Sequence, residues 1–188
     1  SNVKVIDQNA FYATGITSIE LPASVTTIAD AAFNGNANLS SITVSEGNTV
    51  YDSRNGCNGV IETSTNTLVL GCKNTVIPDG VTIIGSSAYR GCTTLTSIIV
   101  PKSVTAIGAS AFRNCTNLTS AIIPSSVTNI EADAFLYCYN LSSITVGRSV
   151  PFEWTSGNTF SNLANATLYV PAGSKSAYES AVVWNEFK

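Results

Sequence analysis

Three stretches of the chain say nearly the same thing at a fixed interval: SAYRGCTTLTSIIVPKSVTAI (residues 87–107), SAFRNCTNLTSAIIPSSVTNI (110–130) and DAFLYCYNLSSITVGRSVPFE (133–153). Aligned on one aromatic per unit, the interval runs through Phe11, Phe33, Tyr89, Phe112, Phe135 and Phe160. Aligned on the residue that ends a short apolar run, it passes through Pro22, Ser45, Pro78, Pro101, Pro124, Gly147 and Pro171. Steps are 22 to 25 residues, apart from a step of 33 between Ser45 and Pro78 and, across the same stretch, one of 56 between Phe33 and Tyr89. A period in this range marks a solenoid, because one unit cannot bury its apolar face alone and must stack on its neighbours.

The unit from Thr94 to Thr116 shows how. In TLTSIIVP, Ile98 and Val100 alternate with Ser97 and Ile99, which predicts a short strand with the first pair inward and the second outward. Pro101 ends it, since proline cannot donate to a ladder. SVTAIG then returns Val104 and Ile107 to the core, and Gly108 permits a tight bend. ASAFRNC reads as a short helical turn whose Ala111, Phe112 and Cys115 close the third side. Stacked about 4.8 Å apart, such coils make a parallel sheet on one face. Seven strands are expected, centred on Glu20, Thr43, Val76, Ile99, Ile122, Thr145 and Tyr169.

The recurring pattern C-x-x-L-x-x-I-x-[LIV]-P-x-S-V-x-x-I-G-x-x-A-F resembles the BspA-like leucine-rich repeats of bacterial surface proteins, across about residues 3 to 171. The resemblance implies a right-handed leucine-rich-repeat solenoid of about seven coils, mostly β, in a single domain. It also implies a non-enzymatic adhesion module, secreted to the bacterial cell surface.

The long step holds NGCNGVIETSTNTLVLGC, whose apolar stretches Val60–Ile61 and Leu68 to Leu70 flank TSTNT and predict a β-hairpin over 57–72 inserted into one coil. With Ser64 and Thr65 at the tip, Ile61 faces Leu68 and Cys57 faces Cys72, an arrangement that can form a disulfide; the alternative is two free thiols. Cys-containing insertions of this kind belong to the family pattern that the chain resembles. Cys92, Cys115 and Cys138 repeat every 23 residues and stack on one inward position, where an earlier coil has Asn36. Three thiols in a column do not surround a tetrahedral metal, so these are read as small apolar core residues.

At the C-terminus, Tyr178, Ala181, Val182 and Trp184 or Asn185 fall at helical spacing. A capping helix over 174–187 is expected, with Ser174 or Ser176 as N-cap and Ser176 with Glu179 as a capping box. The chain opens inside a repeat and contains no Met, so it is read as a piece of a longer protein, with further coils or another domain ahead of Ser1.

Composition removes most chemistries. There is no His, the usual general base and metal ligand. Glu131 and Asp133 sit where other units have Gly108 and Ser110, so they read as a solvated turn and not as a catalytic carboxylate pair. Nine scattered Lys and Arg do not make a nucleic-acid footprint, and no apolar run approaches the ~20 residues of a membrane span. No cofactor or metal is expected, and the chain is read as a monomer. What stands out is the outward row of the sheet: Glu20, Thr43, Val76, Ile99, Ile122, Thr145 and Tyr169. Its three adjacent β-branched apolar residues suggest a protein-binding face, directed at host matrix or another cell surface. Two other readings are a passive spacer and a glycan-binding module, the latter short of aromatics with Tyr169 alone on the sheet.

Overall fold

A computed structural model describes residues 2–152, 159–161 and 163–187. Fourteen short strands appear among them. In chain order they are β1 (Val5–Ile6), β2 (Ser18–Leu21), β3 (Thr27–Ile28), β4 (Ser41–Val44), β5 (Tyr51–Asp52), β6 (Val60–Glu62) and β7 (Thr67–Leu70). They continue with β8 (Ile83–Ile84), β9 (Ser97–Ile99), β10 (Ala106–Ile107), β11 (Ser120–Ile123), β12 (Asn129–Ile130), β13 (Ser143–Val146) and β14 (Thr167–Tyr169). Among the described residues, helix is confined to α1 (Lys175–Glu179) and three 3₁₀ turns. The architecture is the mostly-β solenoid that the 23-residue period demands.

Each coil has three sides. The first carries a strand of three or four residues: β9, β11, β13 and β14 pair in parallel, and so do β2 and β4. The second carries the two-residue strands β8, β10 and β12, also parallel. On the third side the chain turns back, and backbone bonds again link coil to coil: Phe112 N–H donates to Ala134 O at 2.8 Å, and Tyr89 N–H to Ala111 O at 2.8 Å. Alternation decides what enters the core. Val104, Ile107, Phe112, Cys115 and Leu118 are fully buried, while Ile99 between Ile98 and Val100 is exposed. The rings of Tyr89, Phe112, Phe135 and Phe160 form one continuous stack, with centroids 5.0–5.1 Å apart.

The third side is not helical. Ser87, Ser110 and Asp133 have φ of 59°, 56° and 61°, and four residues later Gly91, Asn114 and Tyr137 have φ of 75°, 61° and 64°. A left-handed residue every four positions stops an α-helix from propagating. What forms instead are isolated i to i+3 turns, such as Arg113 N–H to Ser110 O and Cys115 N–H to Phe112 O.

The many Ser and Thr residues act as staples between coils. On the first side Thr119 Oγ1 donates to Thr96 O at 2.9 Å and Ser142 Oγ to Thr119 O at 3.2 Å. On the second, Thr105 Oγ1 donates to Thr82 O at 3.2 Å and Thr128 Oγ1 to Thr105 O at 3.3 Å. Each hydroxyl supplements a backbone bond to the same carbonyl, as Thr119 N–H to Thr96 O at 2.9 Å shows.

The long repeat departs from the expected pattern in two ways. Strands β6 and β7 pair as an antiparallel hairpin, with Ile61 opposite Leu68 and a turn over 63–66. It also joins the second-side sheet, in the order β12-β10-β8-β7-β6-β5. Leu68 lies beside Ile84 as Ile84 lies beside Ile107, so β7 takes the rung that a preceding coil would supply. Val76, by contrast, is not in a strand: its N–H is taken by Cys57 O at 3.0 Å, which places residue 57 where a neighbouring strand would run.

Cys57 and Cys72 are not bonded to each other in this structure, where all five thiols are free and buried. A bulge between Val60 and Ile61 shifts the register, pairing Val60 with Leu70. Continued outward, that register sets Asn58, not Cys57, against Cys72, and a one-residue slip turns a side chain to the other face. Cys72 Sγ accordingly lies 3.7 Å from Asn58 O, and Cys57 Sγ 3.6 Å from Gly59 O. The two thiols belong to different apolar clusters, Cys57 to the downstream core and Cys72 to the upstream one.

At the C-terminal end, α1 is only five residues long and is followed by a 3₁₀ turn at Trp184–Glu186. The capping box is absent because Ser176 lies inside the helix, and Ser174 Oγ turns back to Pro171 O at 2.6 Å. Tyr178 and Trp184 nevertheless pack on the last coil: Tyr178 OH donates to Arg148 O at 2.9 Å and Trp184 Nε1 to Phe152 O at 3.3 Å.

Gly71 faces the ring stack, and a Cβ built there would lie 2.4 Å from two atoms of the Tyr89 ring. Because Tyr89 is stacked on Phe112, the ring cannot move away from that Cβ without disturbing the stack. Gly71→Ala is expected to lower stability by about 1–3 kcal/mol in urea unfolding. An unchanged midpoint would mean that the stack does not lock Tyr89.

Candidate functional site

The first side of the solenoid gathers the outward residues into a line. Residues one coil apart are direct partners: Ile99 pairs with Ile122, Ile122 with Thr145 and Thr145 with Tyr169. On the upstream two-stranded sheet Glu20 pairs with Thr43. Inward neighbours such as Ile98, Ala121 and Ile144 are buried, so the alternation is complete. Ile99, Ile122 and Tyr169 keep 69%, 43% and 54% of their surface exposed. Val76 is also exposed, but it projects from an irregular segment between the two sheets and has no ladder partner there. The structure therefore brings four of the seven predicted residues onto one sheet and two onto another, with Val76 between them.

A second row runs alongside the first. Ser97, Ser120, Ser143 and Thr167 are partners in the same ladder, two positions ahead of the apolar row. The alternation that turns Ser97 outward beside Ile99 fixes the place of the other three through the same spacing. The combined face offers branched apolar groups beside short hydroxyls. In the row itself Glu20 carries the single charge, and its Oε1 accepts from Ser45 Oγ at 2.9 Å. Next to Tyr169 a hollow of about 390 Å³ opens between β14 and the C-terminal turn, lined by Leu168, Val170, Tyr178, Trp184 and Phe187. Its apolar walls come from the residues that close the last coil, a feature that the helical spacing of 178–184 pointed to only in part.

The other candidates resolve into structural roles. Glu131 Oε2 accepts from Ala109 N–H at 3.0 Å and Asp133 Oδ2 from Arg113 Nη1 at 2.7 Å, so each carboxylate ties its turn to the preceding coil. The guanidinium of Arg113 also lies over the Tyr137 ring, 5.1 Å from its centroid. Among the described residues no group of three His, Cys, Asp or Glu side chains is placed to hold a metal ion. No helix among them is long and apolar enough to cross a membrane.

In the cysteine column two thiols donate to the carbonyl of the preceding coil's aromatic residue: Cys115 Sγ to Tyr89 O at 3.2 Å and Cys138 Sγ to Phe112 O at 3.1 Å. Asn36, in the same seat, donates through Nδ2 to Phe11 O at 2.6 Å. The column therefore serves as a staple inside the core. Burial pushes the Cys115 thiol well above the usual range, with the neighbouring Cys138 and Cys92 adding to the shift, and pushes Cys138 up to about 12. A raised folded-state pKa leaves the protonated form favoured in the core, so its contribution is intact below the unfolded thiol's pKa and is lost as pH rises through the folded value. Stability is expected to be flat below about pH 8.5 and to fall above it, by up to ~1.4 kcal/mol per pH unit for each such thiol. The slope should be shallower in Cys138→Ala. Identical slopes in both proteins between pH 9 and 11 would show that the thiol is not held protonated by the fold.

The family model described as BspA type leucine rich repeat region matches residues 1–66 and 60–183, in six copies. No curated protein sequence is similar enough to the chain to count as a match. Among solved structures, a leucine-rich repeat protein from Eubacterium ventriosum is 25% identical with a TM-score of 0.65, over 81% of this chain and 41% of its own. A leucine rich cell surface protein from Faecalibacterium prausnitzii is 28% identical with a TM-score of 0.61, over 95% of this chain and 54% of its own. The pneumococcal vaccine antigen PcpA shares the fold at 18% identity and a TM-score of 0.63, over 96% of this chain and 57% of its own. The chain thus spans about half the length of these proteins. With a solenoid built on the repeat and a family model matched over residues 1–66 and 60–183, the chain belongs to the BspA-type leucine-rich-repeat family.

Proposed function

We propose that this chain is a non-enzymatic interaction module displayed at a bacterial cell surface, and that it binds a protein partner through the first side of the solenoid. The observation that carries the reading is the exposed ladder Ile99–Ile122–Thr145–Tyr169, set in a rigid four-stranded sheet and bordered by Ser97, Ser120 and Ser143. Such a face supplies apolar contact at its centre and hydrogen-bonding groups at its border, the anatomy of a protein interface. It binds without having to order itself first, which lowers the entropic cost of association. A cell-surface setting is supported by the Faecalibacterium prausnitzii relative, which is described as a cell surface protein. The partner class proposed is a host or extracellular-matrix protein, met at the upstream end by Glu20, Thr43 and Val76.

Ile99→Ser with Ile122→Ser tests this reading. Both side chains face outward, so the melting temperature should hardly change, whereas capture on immobilised extracellular-matrix proteins should weaken about tenfold or more in Kd. Full retention of binding by the double variant would remove the face from consideration. Absence of any matrix binding by the unaltered chain would favour a spacer role.

A further inference from the structure

The solenoid is not uniformly joined. Between the coils of residues 94–116 and 117–139, every side contributes backbone bonds: the β9–β11 ladder, Thr119 N–H to Thr96 O, Thr128 N–H to Thr105 O, and Phe112 N–H to Ala134 O. Between residues 3–48 and the remainder, the ladders stop on all three sides. The first-side sheet breaks between β4 and β9, and the second-side sheets break between β3 and β5. The ring stack is divided into Phe11–Phe33 and Tyr89–Phe112–Phe135–Phe160. Gly71 N–H has taken Ala88 O, the acceptor that the next coil would otherwise offer to Phe33.

What spans this seam is side chains. Ile28 N–H donates to Tyr51 OH at 3.1 Å, and Ile42 N–H to Asn58 Oδ1 at 2.6 Å. Asn58 Nδ2 and Asn74 Nδ2 both donate to Ser40 O, at 2.7 and 3.1 Å, and Thr94 Oγ1 donates to Ala37 O at 2.6 Å. Among the described residues one backbone pair crosses, Gly35 N–H to Arg90 O at 3.4 Å. A cavity of about 150 Å³ lies at the seam, lined on one bank by Ala32 and Phe33 and on the other by Leu70, Gly71, Tyr89 and Cys92. Among the described residues, the coils downstream of the hairpin meet through the second-side ladders β8–β10–β12 and the ring stack from Tyr89 to Phe160.

In a repeat array, stability is a sum of unit terms and nearest-neighbour terms, so cooperativity fails first at the weakest junction. We infer that residues 3–48 form a separate opening unit, which swings away from the hairpin while the downstream coils stay folded. The residues of the proposed interaction face from Ile99 to Tyr169 lie wholly on the downstream unit, and so the opening leaves them in place. The seam works as a hinge built into the fold: the hairpin supplies a separate surface for each bank, contributing Val60, Leu70 and Cys72 to the upstream core and Cys57, Ile61 and Leu68 to the downstream one.

The buried thiols report on this directly. Opening uncovers Cys72, which packs in the upstream cluster, and Cys92, which lines the cavity, whereas Cys115 and Cys138 lie deep in the downstream core. The test is alkylation of the full chain with N-ethylmaleimide across urea concentrations below the global midpoint, with each cysteine read by peptide mass spectrometry. Cys72 and Cys92 should react in a range of urea where Cys115 and Cys138 remain protected. Tyr51→Phe, which removes the acceptor for Ile28 N–H, should speed modification of Cys72 and Cys92 about fivefold, the equivalent of one hydrogen bond, and leave Cys115 and Cys138 unchanged. A common rate and urea dependence for all four thiols, or an equal acceleration of all four by Tyr51→Phe, would overturn the inference and make the solenoid one cooperative unit.

Discussion

Each coil of this protein is stable only against another coil, and the contact that enforces this is the shared column of buried rings and staples along the solenoid axis. Tyr89, Phe112, Phe135 and Phe160 stack with centroids 5.0–5.1 Å apart, close to the spacing of paired strands. Ring stack and strand ladders therefore run in step, and neither can shift without breaking the other. A ring slipped by one residue would move from the core to solvent and carry its coil with it. The outward row follows, because Ile99, Ile122, Thr145 and Tyr169 are placed by the same register that turns Ile98, Ala121, Ile144 and Leu168 toward the core.

The low charge of the chain finds its explanation in the same geometry. Only 11% of the residues are charged. Ser and Thr replace them at positions where a hydroxyl reaches the carbonyl of the coil before, as Thr105, Thr119 and Thr128 do. A Lys or Glu at those positions would be too long to bond at that range and would repel its copy one coil away. The cysteine column obeys this logic inside the core, where Cys115 and Cys138 do with a thiol what Asn36 does with an amide.

Sequence periodicity made most of this legible. The strand positions around Glu20, Thr43, Ile99, Ile122, Thr145 and Tyr169, the inward and outward alternation, and the membership of the repeat family all follow from residues in fixed register. The departures occur where the period is interrupted or where backbone conformation is decided locally. Val76 matches Ile99 in pattern, yet the hairpin feeds Cys57 O into the place of its strand neighbour. Cys57 and Cys72 match in a simple hairpin, and a single bulge beside Val60 undoes the match. The third-side turn has a helix-like composition, and the left-handed conformations of Ser110 and Asn114 are not written in any pattern of apolar residues. The interaction face is legible as a location, while its partner is chemistry that lies on another molecule.

The central claim is that residues one repeat apart occupy equivalent seats in adjacent coils. A nuclear Overhauser spectrum of the folded chain measures this directly. The account predicts cross-peaks between the ring protons of Tyr89 and Phe112 and of Phe112 and Phe135, together with backbone contacts between Ile99 and Ile122 and between Ile122 and Thr145. A folded protein that gave dispersed signals but lacked these contacts between coils would contradict it.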